Sequence, residues 1–160
     1  MPKSLQKTAT IDRTPAQVLA WIEDWSNVRN WMGDSLVAID ILSDHSESDP
    51  ICAGMRFRET RQMGKMKAKA VISVEKHELQ GDSAVHEAIC DDGCNRWIFD
   101  YRFEPTQDGQ TIATWTASSA PNKWWTKALN PITAPMMVKM MNKCEGDHLD
   151  KLKALIEADA

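Results

Sequence analysis

The sequence is short of most features that announce a chemistry. It contains no GxGxxG, P-loop, HExxH or GxSxG pattern, so the phosphate cradles, zinc-protease helices and nucleophile elbows built on those spacings are excluded. Its four cysteines, Cys52, Cys90, Cys94 and Cys144, make no dense disulfide framework and read as reduced thiols. No apolar run approaches the roughly 20 residues a membrane-spanning helix needs. The opening MPKSLQKTATIDRTP lacks the apolar core of a secretory signal, and the cytoplasm is the expected compartment. Positive charge is also in deficit. The formal net charge is −4, whereas a general nucleic-acid binder needs a basic footprint, so no nucleic acid is expected as a partner. Internal repeats, low-complexity tracts and flexible linkers are missing, and residues 1–160 are read as one domain with a full core.

What the chain has is apolar bulk of an uncommon kind. Seven tryptophans and nine methionines stand within an ordinary composition of 42% apolar and 26% charged residues. They suit either an irregular core or a wide cavity with aromatic and thioether walls. From about Asn130 to Ala158, Met137, Met141, Cys144, His148, Leu152 and Leu155 recur at spacings of three and four. Met140, Leu149 and Ile156 widen that stripe, while Lys139, Lys143, Glu145, Asp147, Lys151 and Lys153 can face water. The period predicts one long amphipathic helix. Asn130, Pro131 and Pro135 are expected to interrupt it just before the methionines, as a segment able to move as a gate.

Upstream, Leu5–Ile11 alternates weakly and reads as an edge strand. Thr14-Pro15-Ala16-Gln17 is a capping box with proline at the first helical position. It opens a helix carrying Val18, Ile22 and Trp25, and Ser26 can cap a second short helix that ends at Gly33. Strands are expected at Leu36–Ser43, Gly54–Arg61, Met66–Val74, Ser83–Cys90, Arg96–Glu104 and Gln110–Ser118. The clearest is Arg96–Glu104, with Trp97, Phe99, Tyr101 and Phe103 on one face. The expected class is α+β: a curved antiparallel sheet of six or seven strands around a long C-terminal helix, with two short helices after the first strand.

Several local patterns, in this order, resemble the START-like superfamily, the polyketide cyclase/dehydrase and lipid transport group. They are Ile11-Asp12-Arg13-Thr14-Pro15-Ala16-Gln17-Val18, Trp25-Ser26-Asn27-Val28-Arg29-Asn30-Trp31, Gly54-Met55-Arg56-Phe57, Phe103-Glu104-Pro105 with Gly109–Trp115, and Leu149-Asp150-Lys151-Leu152-Lys153. The resemblance covers nearly the whole chain and implies a helix-grip fold. Members of that group bind lipids, quinones, hormones or polyketides between sheet and helix. Some are cyclases and some act on chaperones, so the resemblance specifies the fold better than the activity.

Candidate chemistry is sparse. Glu59 shares strand parity with Met55 and Phe57, and Glu87 with Val85 and Ile89. If those faces are concave, both carboxylates enter an apolar cavity and, with Tyr101, are the candidate acid–base groups; a bulge would instead put them in solvent. The expected ligand wall is Trp31, Phe57, Glu59, Glu87, Trp97, Phe99, Tyr101 and Phe103, faced by Met137, Met140 and Met141. His86, Cys90 and Cys94 are the most metal-like set; Asp91 or Asp92 could supply a fourth ligand, but both are expected in the turn, and no metal or cofactor is expected. Cys144 and His148 lie one helical turn apart with nothing to orient them as a nucleophile–base pair. Arg56, Arg58, Arg61, Lys65, Lys67 and Lys69 predict a positive sheet face, either solvated or turned to an acidic protein or anionic membrane surface. The expected function is binding or transport of a small hydrophobic, lipid-like molecule. The alternatives are a cyclase- or dehydratase-like enzyme and a chaperone-activator-like interaction module.

Overall fold

The computed structural model describes residues 4–93, 95–121 and 123–159, apart from the side chains at 63, 120, 121, 126, 130, 133, 134, 137, 140, 141 and 143–145. The chain runs β1 (Ser4–Ile11), α1 (Pro15–Glu23), α2 (Trp25–Met32), β2 (Leu36–Ile41), β3 (Arg56–Met63), β4 (Met66–Gln80), β5 (Ser83–Asp91), β6 (Asn95–Pro105), β7 (Thr111–Pro121), α3 (Trp124–Glu145) and α4 (His148–Ala158). The seven strands form one sheet in the order β1-β7-β6-β5-β4-β3-β2, with every neighbouring pair antiparallel. Successive strands therefore pair by hairpins, and only β1 is carried across to β7. This is the α+β helix-grip architecture.

The helical connection after β1 follows from local chemistry. The Thr14 hydroxyl accepts from the Gln17 amide, and the Gln17 side chain accepts from the Thr14 amide at 2.9 Å. Pro15 occupies the first turn, where its missing N–H costs nothing. Asp24 ends α1 and caps α2 by accepting from the Ser26 amide at 2.8 Å, so the two helices are joined through one residue. The Ser26 hydroxyl first, and this amide second, hold the Asp24 carboxyl below its ordinary value. The cap residue is thus Asp24, two positions before the Ser26 expected from sequence. Val18, Leu19 and Ile22 from α1 and Trp25, Val28 and Trp31 from α2 turn into the core against the concave face of the sheet.

The C-terminal helix comes in two segments. It starts earlier than its apolar stripe suggests, at Trp124, and runs through Pro131 and Pro135 instead of being interrupted by them. It then breaks at Gly146. A Cβ there would collide with the Asn142 carbonyl oxygen, so the tight approach that ends α3 admits glycine alone. Past the break, α4 buries Leu149, Leu152 and Ile156 against β1 and α2. It is tied down by Trp31 Nε1 donating to the His148 carbonyl at 3.0 Å and by Glu157 accepting from the Asp12 amide at 2.9 Å. On α3, Trp124, Trp125, Leu129, Ile132 and Met136 are exposed. Among the described residues no helix is long and apolar enough to cross a membrane.

Candidate functional site

Sheet curvature and the two short helices leave a cavity of about 230 Å³ on the concave side. Its floor is supplied by alternate residues of the central strands. Phe57, Glu59 and Arg61 come from β3, Ile72 and Val74 from β4, His86, Ala88 and Cys90 from β5, and Trp97, Phe99 and Tyr101 from β6. Trp31 and Met32 close it from α2, Trp115 from β7 and His148 from the first residue of α4. Trp31 stacks on the His148 ring at 4.3 Å and meets Tyr101 edge-on at 5.5 Å. An aromatic wall with few polar groups suits an apolar guest.

The expected wall residues divide clearly. Trp31, Phe57, Glu59, Trp97, Phe99 and Tyr101 line the cavity. Phe103 lies on the same face of β6 but is fully buried in the core, stacked on Tyr101 at 6.4 Å. Glu87 is on the opposite, convex face. It stands across from Asp100 and accepts from Lys76 Nζ at 3.3 Å. Parity on β5 favours Ala84, His86, Ala88 and Cys90 for the inside, because a face that must leave room for helices and a cavity takes the smaller side chains. The side chains of Met137, Met140 and Met141 lie outside the described residues, as do Cys94 and the side chain of Cys144. His86 and Cys90 share a face of β5, but among the described residues no group of three ligating side chains can hold a metal ion.

The positive sheet face also differs from expectation. Arg58 lies opposite Val71, Thr60 opposite Lys69 and Gln62 opposite Lys67 on the convex side, whereas Arg61 follows Phe57 and Glu59 inward. The convex face carries Glu75 and Asp91 in a groove with Arg56 and Arg96, so its charge is mixed.

Arg61 and Glu59 form an ion pair at the cavity. The guanidinium donates to both carboxylate oxygens, at 3.0 and 3.3 Å, and also to the Met32 carbonyl and Ser35 hydroxyl at 3.1 Å. Glu59 is 9% exposed at its side chain and Arg61 21%. Bidentate geometry and the two further acceptors make the desolvation of this pair tolerable. Arg61→Ala is expected to cost about 2 kcal/mol, less than for a fully buried pair because the guanidinium keeps some solvent. Urea denaturation checks this, and an unchanged midpoint would contradict the pairing.

Strand parity alone does not disclose a second polar chain. His77 Nε2 contacts the Glu23 carboxylate at 3.2 Å, and His77 Nδ1 contacts His86 Nδ1 at 2.9 Å. A bulge makes this possible. The β4–β5 register shifts between Val74 and Lys76, so Lys76 turns outward to Glu87 and His77 turns inward to His86. Burial pushes His86 down to about 3, reinforced by its neighbour His77. Burial also lowers His77, against the opposing pull of Glu23. Cys90 is pushed up to about 12, by burial first and the Glu59 carboxylate second, so it stays a thiol and is a poor nucleophile.

A curved antiparallel sheet gripping C-terminal helices, with an aromatic cavity between, defines a helix-grip ligand-binding architecture. The chain belongs to the START-like polyketide cyclase / dehydrase and lipid transport family, whose model matches residues 2–157. No curated protein matches it in sequence. Among solved structures it is similar to TTHA0849 from Thermus thermophilus, at 13% identity and a TM-score of 0.68, over 99% of each chain. It is similar to the hypothetical protein jhp0584 from Helicobacter pylori, at 14% identity and a TM-score of 0.70, over 95% of this chain and 86% of that one. Norcoclaurine synthase from Thalictrum flavum, in complex with dopamine and hydroxybenzaldehyde, is similar at 10% identity and a TM-score of 0.62, over 100% and 89%. These likenesses establish the fold.

Proposed function

We propose that this protein binds or carries a small hydrophobic molecule in the cavity between its sheet and its helices. The observation that carries the reading is the cavity itself, about 230 Å³ and walled by Trp31, Phe57, Trp97, Phe99 and Tyr101. A sheet and helices that only had to fold would fill that space with side chains, since protein interiors pack to crystal-like density. The small residues Ala88 and Cys90 at its floor keep it open. A family described by polyketide cyclases, dehydrases and lipid transport accords with an apolar guest.

Catalysis of the cyclase or dehydratase type is the second reading. The observation in its favour is that Glu59, His86 and Tyr101 border the same cavity. Binding needs only the apolar wall, which is why it is placed first.

Native mass spectrometry of freshly purified protein is expected to show a co-purified small molecule. Tryptophan-fluorescence titration with fatty acids, quinones and flat aromatics is expected to give saturable quenching for at least one class. Ala88 lines the cavity and stands across from Phe99. Ala88→Phe fills the space beside it and should weaken that binding about tenfold or more, the loss expected when a ligand's apolar contacts are displaced. Absence of any bound species, with no saturable response in all three classes, would overturn the reading.

A further inference from the structure

The hydrogen bonds from Glu23 through His77 to His86 determine which nitrogen of His86 keeps its lone pair. Glu23 closes α1 with its side chain 40% exposed, and an ionised carboxylate only accepts hydrogen bonds. The proton in the 3.2 Å contact therefore belongs to His77 Nε2. Burial disfavours the charged form of His77, outweighing the opposing pull of Glu23, and a neutral imidazole carries a single N–H. His77 Nδ1 is then a bare acceptor, and the proton in the 2.9 Å contact belongs to His86 Nδ1. His86 is neutral as well, because burial opposes its charged form. Its one proton is thus committed to His77, and Nε2 is left as a lone pair on a residue that lines the cavity. Nε2 makes no hydrogen bond with any described residue.

The geometry points to His86 Nε2 as a fixed hydrogen-bond acceptor in the cavity wall, and to a ligand that is an apolar molecule bearing a neutral O–H donor: a phenol, enol or alcohol and not a carboxylate. The proposal rests on the reading of the cavity as a small-molecule site and adds the chemistry of the ligand's polar group. Two further features agree with it. Glu59 and Asp92 place two carboxylates on the lining against the one guanidinium of Arg61, a balance that disfavours a further anion. The Arg61 guanidinium is turned to Glu59, the Met32 carbonyl and the Ser35 hydroxyl.

The test uses three probes on one ring system, naphthol, methoxynaphthalene and naphthoate, titrated calorimetrically into the full chain. Naphthol is expected to bind about tenfold more tightly than methoxynaphthalene, because only naphthol satisfies the buried acceptor. Naphthoate should bind most weakly. In His86→Leu the preference for naphthol over methoxynaphthalene should vanish while both still bind. Nitrogen NMR of the wild type supplies a readout that needs no variant. His86 should show a protonated Nδ1 and a bare Nε2, and the Nε2 resonance should move on adding naphthol but not methoxynaphthalene. Equal affinity for naphthol and methoxynaphthalene, or a His86 protonated at Nε2, would overturn this proposal and leave the cavity reading standing. Failure of all three probes to bind, together with no co-purified molecule, would overturn both.

Discussion

Leu152→Asp is expected to abolish cooperative folding, or to lower the thermal midpoint by about 10 °C or more. Leu152 is fully buried at the centre of α4, between Leu149 and Ile156. The substitution removes apolar contacts and places a carboxylate among the apolar side chains of the core. Loss of a buried leucine alone costs about 2–5 kcal/mol, and burying an unpaired charge adds to that. The sum approaches the roughly 5–15 kcal/mol that holds a typical domain folded. Each kcal/mol lowers the midpoint of a domain this size by about 2–4 °C. Ala154→Glu, on the exposed side of the same helix, is the control and should change little. Circular dichroism melts of the two variants decide the matter. A wild-type midpoint for Leu152→Asp would remove α4 from the core.

Acid should destabilise the protein well before its ordinary carboxylates titrate, and His86 should be a main cause. In the folded state burial holds its pKa at about 3, against 6.5 for an ordinary histidine. Below 6.5 the unfolded chain takes up a proton that folded His86 refuses, so stability is complete above that value and falls as pH drops toward 3. The limiting slope for one such group is about 1.4 kcal/mol per pH unit. His77, also lowered by burial, acts in the same direction. The Glu23 carboxylate on its far side works against it, while the rings of Tyr101 and His77 enclose His86. Urea midpoints measured from neutral pH to about pH 5 should fall steeply in the wild type and less in His86→Phe. Parallel slopes would show that His86 is not buried as a neutral ring.

Much of the architecture was legible because it rests on short-range rules. Thr14-Pro15 with Gln17 announces a helix start wherever it lies. The alternation of Trp97, Phe99, Tyr101 and Phe103 specifies the inward face of β6 without reference to any partner strand. The two helix segments were harder to separate. The stripe from Met137 to Leu155 keeps its period through Gly146, and only the approach of the Asn142 carbonyl shows that no side chain fits there.

The site was less legible, and Glu59 and Glu87 show why. Both occupy alternating strands, and each shares parity with larger apolar neighbours. For Glu59 that neighbour, Phe57, faces the cavity. For Glu87 the larger residues Val85 and Ile89 lie on the convex side, and Ala88 and Cys90 define the inside. Hydrophobicity identifies the two faces of a strand but not which is concave when the inner face must stay narrow. His77 was hidden by a different effect. Counting by twos from Ile72 and Val74 puts it outside, and the bulge after Val74 reverses the count.

The sequence by itself determined the element order through β7, the capped helix entry, the aromatic face of β6 and the family, because propensity, capping and period-two burial act between near neighbours. Only the tertiary structure decided that Arg61 leaves the basic face to hold Glu59, and that Glu23, His77 and His86, which are not neighbours in the chain, meet behind the cavity wall. Those arrangements depend on strand register and on one bulge, which are set by long-range pairing across the whole sheet.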